Sequence, residues 1–586
     1  MKSFFKNVLS TIVGMILAVF VIMLLFIGIV SISISSLNST EEVTVKENSI
    51  LKINLAELSV VERTSENPFD GLNLSGNIPK TIALKQVLDN IEKAKLDDKI
   101  KAIYINTSYV SAGISQIEEI RNKLLEFKQT GKPIIAYSEV YNQAAYYLSS
   151  VANKVYLNPE GIVELKGLSA SIMFYKGLLD KLDIDVQIIR HGKFKGAVEP
   201  FILDKMSVAN REQMQLLLNS FADNIMDSIA NQRGLSLVKV QQDANSLILE
   251  NAQSCIDYKY VDALLYQDQI EDSLIKISGG EKLNLVSLSK YTHAKGEEKK
   301  ISRNKIAIIY ATGAINSGEG DEKSIGSVST SAAIKKARED KKVKAIVLRV
   351  NSPGGSALAS DVIWRETILA KAEKPLVVSM GDYAASGGYY IACAADSIVA
   401  NPTTLTGSIG VFGMIPNLSK FYKNKLGITI DTVNTGKYAD MGINRPLSAF
   451  EKNKIQTSIK NIYTTFITHV GEGRNMSTTA VDEIGQGRVW TGYDAKEIGL
   501  IDSYGGLEKA IEIAVYLAKI EDYRIISLPK KKDPFTEFAL KLGGETNISN
   551  LILAKLGFIT QMTEPIEDLL KRDKIQARIP FIMDLK

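Results

Sequence analysis

From Ile12 to Val30 (IVGMILAVFVIMLLFIGIV) every position is apolar or glycine, and no charge falls between Lys6 and Glu41. At about 1.5 Å of rise per residue, a helix over this run spans a bilayer core of roughly 30 Å, so the pattern predicts one transmembrane helix. A cleaved signal peptide would have a shorter apolar region, about 7 to 15 residues, followed by an Ala-x-Ala site, and none follows here. Lys2 and Lys6 precede the run while Glu41 and Glu42 follow it. That asymmetry keeps the N-terminus cytoplasmic and sends the bulk of the chain across, which in a bacterium means the periplasm.

Beyond the anchor, short β-branched runs alternate with helical patterns. Lys344–Val350 (KAIVLRV) reads as a buried strand, Ala357–Ala372 as a helix and Pro375–Ser379 (PLVVS) as the next strand. Such alternation predicts an α/β fold. From about Asp533 the pattern reads as amphipathic helices without a chemical motif.

The α/β pattern occurs twice. KIKAIYI (99–105) returns as KVKAIVL (342–348), Tyr146-Tyr147 as Tyr389-Tyr390 and Asn158-Pro159 as Asn401-Pro402, each 243 residues later. Gly192-Lys193-Phe194 returns as Gly436-Lys437-Tyr438, 244 residues later, after a single insertion. Between the copies, Lys290–Lys305 (KYTHAKGEEKKISRNK) is polar and charged, as an exposed linker should be. The expected organisation is residues 1–45 as cytoplasmic start, anchor and linker, 46–300 as the first domain and 301–586 as the second.

Composition narrows the chemistry. The 586 residues exceed what one core usually organises, and 45% hydrophobic with 23% charged residues is the balance of a folded protein. Lys plus Arg number 70 against 66 Asp plus Glu, which gives no reason to propose nucleic acid as a partner. Cys255 and Cys393 are too few for a disulfide framework or a thiolate metal site, and no two of His191, His293 and His469 stand at ligand spacing. No metal or cofactor is expected.

Three segments carry candidate chemistry. Asn351–Gly355 (NSPGG) follows a predicted strand, where Gly354 and Gly355 can aim backbone N–H groups into a cleft as an oxyanion hole, or form a plain turn. Ser386, in Gly381–Tyr390 (GDYAASGGYY), stands at a strand-to-helix turn suited to a nucleophile, a helix cap or close packing. Lys195, in HGKFKGAVEPF, has Phe194, Ala197, Val198 and Phe201 around it. An apolar pocket that lowers its pKa would make it a base, although most lysines are surface residues.

The repeat decides among these readings. Ser386 aligns with Gln143 and Lys195 with Ala439, so each copy lacks what the other holds. Gly354-Gly355 align with Ser111-Ala112, and Ser408 of TGSIGV aligns with Leu165. The economical expectation is one composite site per chain, with Ser408 orienting the lysine amine. Lys193 is the weaker base, because its counterpart Lys437 survives beside Ala439.

The anchor, the tandem copies, NSPGG, DYAASGGYY, TGSIGV and GKFKGAVEPF together resemble the long, tandem form of signal peptide peptidase A in the S49 family of serine peptidases. The resemblance implies a crotonase- or ClpP-like fold in each half and a homo-oligomer, a tetramer, on the outer face of the inner membrane. It further implies degradation of signal-peptide remnants. It assigns the nucleophile to Ser386, the general base to Lys195 and the supporting hydroxyl to Ser408. From the residues themselves, the N–H groups of Ser386 and of the Gly354-Gly355 turn are expected to hold the oxyanion. Single-copy members carry their lysine in the segment matching Lys437–Met441, where this chain has Ala439. Peptides and the lipid bilayer are the expected partners. The rival readings are a crotonase-like acyl-CoA enzyme, which needs no Ser and Lys pair, and a non-catalytic membrane scaffold.

Overall fold

The computed structural model describes residues 43–64, 80–295, 302–321, 323–530 and 575–579, with part of the stretch 6–21. Most of the run Ile12–Val30 lies outside the described residues; those described between 6 and 21 are helical, with Val13, Leu17 and Phe20 exposed. Among the described residues no helix is long and apolar enough to cross a membrane.

The first copy builds a parallel sheet from β1 (Ser49–Ile53), β2 (Ile100–Ile105), β3 (Ile134–Tyr141) and β4 (Lys154–Val163), edged by Ala263–Leu264 and Asn284–Ser287. The central runs are apolar at consecutive positions, the signature of strands covered on both faces. Helix α1 (Gln143–Ser149) leaves the end of β3 and is buried throughout. The chain then runs through α2 (Lys176–Lys181) into β5 (Asp185–His191), which joins no strand of its own copy's sheet.

The second copy repeats the plan with β6 (Lys305–Thr312), β7 (Val343–Ser352), β8 (Gly354–Ser356), β9 (Leu376–Ala385), β10 (Leu405–Gly407) and β11 (Val411–Asn417). β10, β9, β7 and β6 lie side by side in one sheet, continued by Val489–Thr491 and Arg524–Leu528. Helix α3 (Gly387–Ala392) follows β9 as α1 follows β3, and α4 (Ser419–Leu426) follows β11.

A third sheet joins the copies. Its order runs from Gly320–Asp321, Ser324–Gly326 and Ala314–Asn316 through β8, β12 (Ile575–Arg578) and β11 to β5, so a strand of the first copy closes a sheet of the second. β5 and β11 are antiparallel over seven residue pairs, from Val411 opposite His191 to Asn417 opposite Asp185. β12 departs from the helices expected after Asp533, of which residues 533–574 lie outside the described residues. It forms a strand because β8 and β11 each present an edge there, and a segment laid between them pairs on both sides.

The junction is also ionic. Arg349 of β7, fully buried, donates to Glu62 at 2.8 and 3.0 Å and to Glu119 at 2.8 Å, both carboxylates coming from the first copy. Buried charges persist only when paired and hydrogen-bonded, so this triad fixes how the copies meet.

Candidate active site

Ser386 sits between the end of β9 and the start of α3 with φ 56° and ψ −112°, a strained backbone for a residue with a Cβ. The turn is held from both sides: its amide donates to the Gly407 carbonyl of β10 at 2.7 Å, and its carbonyl accepts from Tyr390 N–H at 2.8 Å. The two glycines that follow are needed for space. A Cβ on Gly387 would lie 2.6 Å from Ser360 Oγ, and one on Gly388 would lie 2.8 Å from the Ser352 carbonyl oxygen. A strained serine at a sharp strand-to-helix turn presents its hydroxyl as a nucleophile.

β5 delivers Lys195 to this turn. After β5, the Phe194 amide donates to the Gln486 carbonyl at 2.9 Å, and Lys195 enters fully buried. Its Nζ lies 2.8 Å from Ser386 Oγ, 3.0 Å from Ser408 Oγ and 3.0 Å from the Ser408 carbonyl oxygen. Ser408 is held at φ 50°, its amide donating to the Arg488 carbonyl at 2.6 Å and its hydroxyl facing the Gly487 carbonyl at 3.4 Å. Desolvation holds the Lys195 pKa well below the usual lysine value. A neutral amine has two N–H bonds and one lone pair. With Ser408 accepting both N–H bonds, the lone pair faces the Ser386 hydroxyl. Ser386, Lys195 and Ser408, expected to converge, do so within a single chain.

The expected oxyanion donors need correcting. The Ser386 amide already binds Gly407, and the Gly354 amide donates to Ser352 Oγ at 3.2 Å, so neither is free for an oxyanion. The amides of Gly355 and Gly387 adjoin these positions. A Cβ on Gly387 would stand 3.1 Å from Gly355 N, and one on Gly354 would stand 2.8 Å from Gly387 N. Gly387 is the first residue of α3, where helix geometry provides no intrahelical acceptor for its amide.

A peptide strand already lies in this cleft. β12 runs antiparallel to β8 with Gly355 opposite Ala577, and Ile579 N–H donates to the Pro353 carbonyl at 2.9 Å. A Cβ on Gly387 would be 3.2 Å from the Ala577 carbonyl oxygen, and a Cβ on Gly354 would collide with that same atom. The Ala577 carbonyl oxygen thereby lies against Gly354 and Gly387.

Several site residues escaped the sequence reading. Gly410 and Gly487 cup the lysine stem: a Cβ on Gly410 would lie 3.3 Å from Lys195 Cδ, and one on Gly487 would lie 2.8 Å from Lys195 Cβ. Asn351 ties the two catalytic loops together, accepting from Tyr383 N–H at 3.1 Å and donating to Glu62 at 3.1 Å and to Asp382 at 3.2 Å. The pair of glycines in GQGR (485–488) and the lone Arg349 inside an apolar strand were the available signals.

In the first copy the corresponding position is filled. Gln143 accepts from the Lys166 and Gly167 amides at 3.1 Å each and donates to the Gly167 carbonyl at 3.2 Å, beside buried Leu165. Lys193 is exposed, 5.2 Å from the centre of the Phe194 ring, as Lys437 is 5.5 Å from that of Tyr438. That shared packing accounts for a lysine kept in both copies.

Comparison with known proteins finds the same duplication. The model for peptidase family S49 matches residues 126–278 and again residues 368–521. Protease 4 of Salmonella typhi is 39% identical over 454 residues, covering 76% of this chain and 73% of the relative. Protease 4 of Haemophilus influenzae is 35% identical, covering 75% of this chain and 74% of the relative. The chloroplastic serine protease SPPA of Arabidopsis thaliana is 34% identical, covering 86% of this chain and 75% of the relative.

Proposed function

The chain belongs to peptidase family S49 and is a serine-type peptidase; from that premise we propose that it is an endopeptidase working through a Ser386–Lys195 dyad. The observation that carries the reading is a fully buried lysine amine 2.8 Å from a strained serine hydroxyl. Neither acyl-CoA chemistry nor a scaffold role calls for that pair.

A peptide substrate takes the place of β12, antiparallel to β8, with its scissile carbonyl at the Gly355 and Gly387 amides. Ser386 Oγ attacks the carbonyl carbon as its proton passes to the Lys195 lone pair. The oxyanion accepts hydrogen bonds from the two glycine amides, preorganised before charge develops. As the C–N bond breaks, the Lys195 ammonium returns the proton to the leaving amine, and the acyl chain remains as an ester on Ser386. Water then attacks the ester carbonyl as its proton passes to neutral Lys195, and as the C–O bond to Ser386 breaks the Lys195 ammonium returns that proton to Ser386 Oγ. Ser408 holds the amine throughout.

The proposed substrates are signal-peptide remnants, met in or beside the bacterial inner membrane, with the peptidase body periplasmic and the N-terminal apolar run as anchor. The charge asymmetry around that run supports the orientation, and the exposed apolar side chains described between residues 6 and 21 suit a lipid surroundings. The proposed assembly is a homo-oligomer. The test is to follow a labelled signal peptide in membranes holding the intact chain or its Ser386→Ala variant. Loss of the peptide only with the intact chain supports the proposal; equal persistence in both refutes it.

A further inference from the structure

We propose that Glu118, from the first copy, is a positioning residue for the dyad: it holds Thr403 and, through it, the strand that sets Ser386 against Lys195. The inference rests on the Ser386–Lys195 reading and gives the first copy a second task besides supplying the lysine. That strand is β10, only three residues long. Its Gly407 carbonyl takes the Ser386 amide at 2.7 Å, and the next residue, Ser408, takes both N–H bonds of Lys195. Where so short a strand sits depends on how its two ends are tied. The Ser408 amide ties the far end to the Arg488 carbonyl at 2.6 Å, and Asn401–Thr404 form the near end.

The start of the first copy's helix Ile114–Lys128 grips the near end. The Asn401 side-chain amide donates to Ser115 Oγ at 2.8 Å and to the Ser115 carbonyl at 3.2 Å, and Ser115 Oγ lies 3.3 Å from Thr404 Oγ1. Three residues on, Glu118 Oε2 accepts from the Thr403 hydroxyl and from the Thr403 amide, the latter at 3.4 Å. The same turn reaches β9, where the Ser115 amide donates to Asp382 at 3.0 Å, four residues before Ser386. One helical turn of the first copy thus bonds to both strands that frame the nucleophile.

Joining the copies does not require Glu118. Its neighbour Glu119 binds Arg349 at 2.8 Å, and Glu62 completes that ionic tie. Glu118 is instead held where burial opposes its charge: desolvation pushes its pKa up to about 7, against the lowering effect of the two bonds from Thr403. Groups kept against desolvation in this way concentrate at functional sites.

The repeat shows that the grip runs in one direction. At the offset of 243, Glu118 aligns with Asp361, Ser115 with Leu358 and Thr403 with Glu160. Asp361 accepts from the Tyr390 hydroxyl of its own copy at 2.7 Å, Leu358 is 69% exposed, and Glu160 is exposed. A carboxylate at the position of Thr403 would repel Asp361 rather than bind it. The helix residues that grip are therefore kept in the first copy and the loop that is gripped in the second, where Ser386 stands.

A small displacement of β10 moves Ser408 and the Ser386 turn together, which slows the chemical step without touching substrate binding. The test uses the full-length chain, with peptide hydrolysis and fluorophosphonate labelling of Ser386 read side by side and circular dichroism to establish folding. Glu118→Ala should lower kcat about tenfold with KM little changed, and slow labelling by the same factor. Thr403→Val, which breaks the hydroxyl bond from the other side, should lower both rates in the same sense, and the double variant should be no slower than Glu118→Ala. Glu118→Gln keeps an acceptor and should recover to within about threefold of the intact chain. Intact kcat in Glu118→Ala or Thr403→Val, whatever their Tm, or a Glu118→Gln variant no better than Glu118→Ala, would overturn the inference and leave the dyad standing. If Glu118→Ala does not fold, Thr403→Val and Glu118→Gln decide it by the same comparison with the intact chain. An intact chain that neither hydrolyses peptide nor labels at Ser386 would overturn the dyad reading itself.

Discussion

The Nζ of Lys195 lies 2.8 Å from the Oγ of Ser386 across 191 residues of chain, and a strand pairing between the two copies brings them together. Nucleophile and base act as one unit, so Ser386→Ala and Lys195→Ala should each abolish peptide hydrolysis, and the double variant should be no worse than either. The loss from Lys195→Ala should reach about 100- to 10,000-fold in kcat, while Lys193→Ala stays near wild type. Steady-state kinetics with a fluorogenic peptide, alongside circular dichroism to establish folding, checks this.

Burial of Lys195 also affects stability. Its folded pKa is depressed, so between that value and the unfolded one of about 10.4 the unfolded chain binds more protons, and stability rises with pH. At neutral pH the native protein therefore carries a penalty that an apolar side chain of similar length removes. Lys195→Met should raise the Tm at pH 7 while destroying activity, and the gain should shrink towards pH 10. Thermal unfolding at the two pH values measures it; a Tm lowered at pH 7 would mean the amine is not held against its desolvation.

Ser408→Ala removes one of the two acceptors that orient the amine but leaves the Ser408 carbonyl in place. The expected result is kcat reduced about tenfold, a lost hydrogen bond of about 1.4 kcal/mol in the transition state, with KM little changed. A change confined to KM would instead assign Ser408 to substrate binding.

Arg349→Met leaves Glu62 and Glu119 buried without their partner. Breaking such a cluster costs about 3 to 5 kcal/mol. In the variant those carboxylates fold best protonated, which raises their folded pKa values, so its deficit should grow from pH 5 to pH 8. Denaturant unfolding across that range tests both size and slope.

β12 lies where the proposed substrate strand would lie, antiparallel to β8 with Ala577 opposite Gly355. A tethered strand competes at an effective concentration in the millimolar range. A chain stopped after residue 574 should therefore show a lower KM for added peptide with kcat largely retained. An unchanged KM would place substrate elsewhere.

The meeting of Lys195 with Ser386 was legible because two copies of one pattern had lost opposite residues: Gln143 against Ser386 and Ala439 against Lys195. The strand runs were legible because parallel strands covered on both faces carry consecutive apolar positions, as Ala102–Ile105 does. That the Ser386 amide is taken was not, since it depends on which carbonyl β10 presents, a matter of tertiary pairing. The same holds for β12: IQAR carries no strand pattern and becomes one only because two sheet edges flank it. Gly410 and Gly487 matter through the space they leave around Lys195, and spacing along the chain does not report that.

The central claim is that a neutral Lys195 activates Ser386. Its most direct test is the pH dependence of labelling by a fluorophosphonate probe, with the modified peptide mapped by mass spectrometry. The account predicts modification at Ser386, at a rate rising with pH through a pKa well below that of an ordinary lysine, and none in Lys195→Ala. Labelling of Ser386 in Lys195→Ala at the wild-type rate, or a label mapped to another serine, would contradict it.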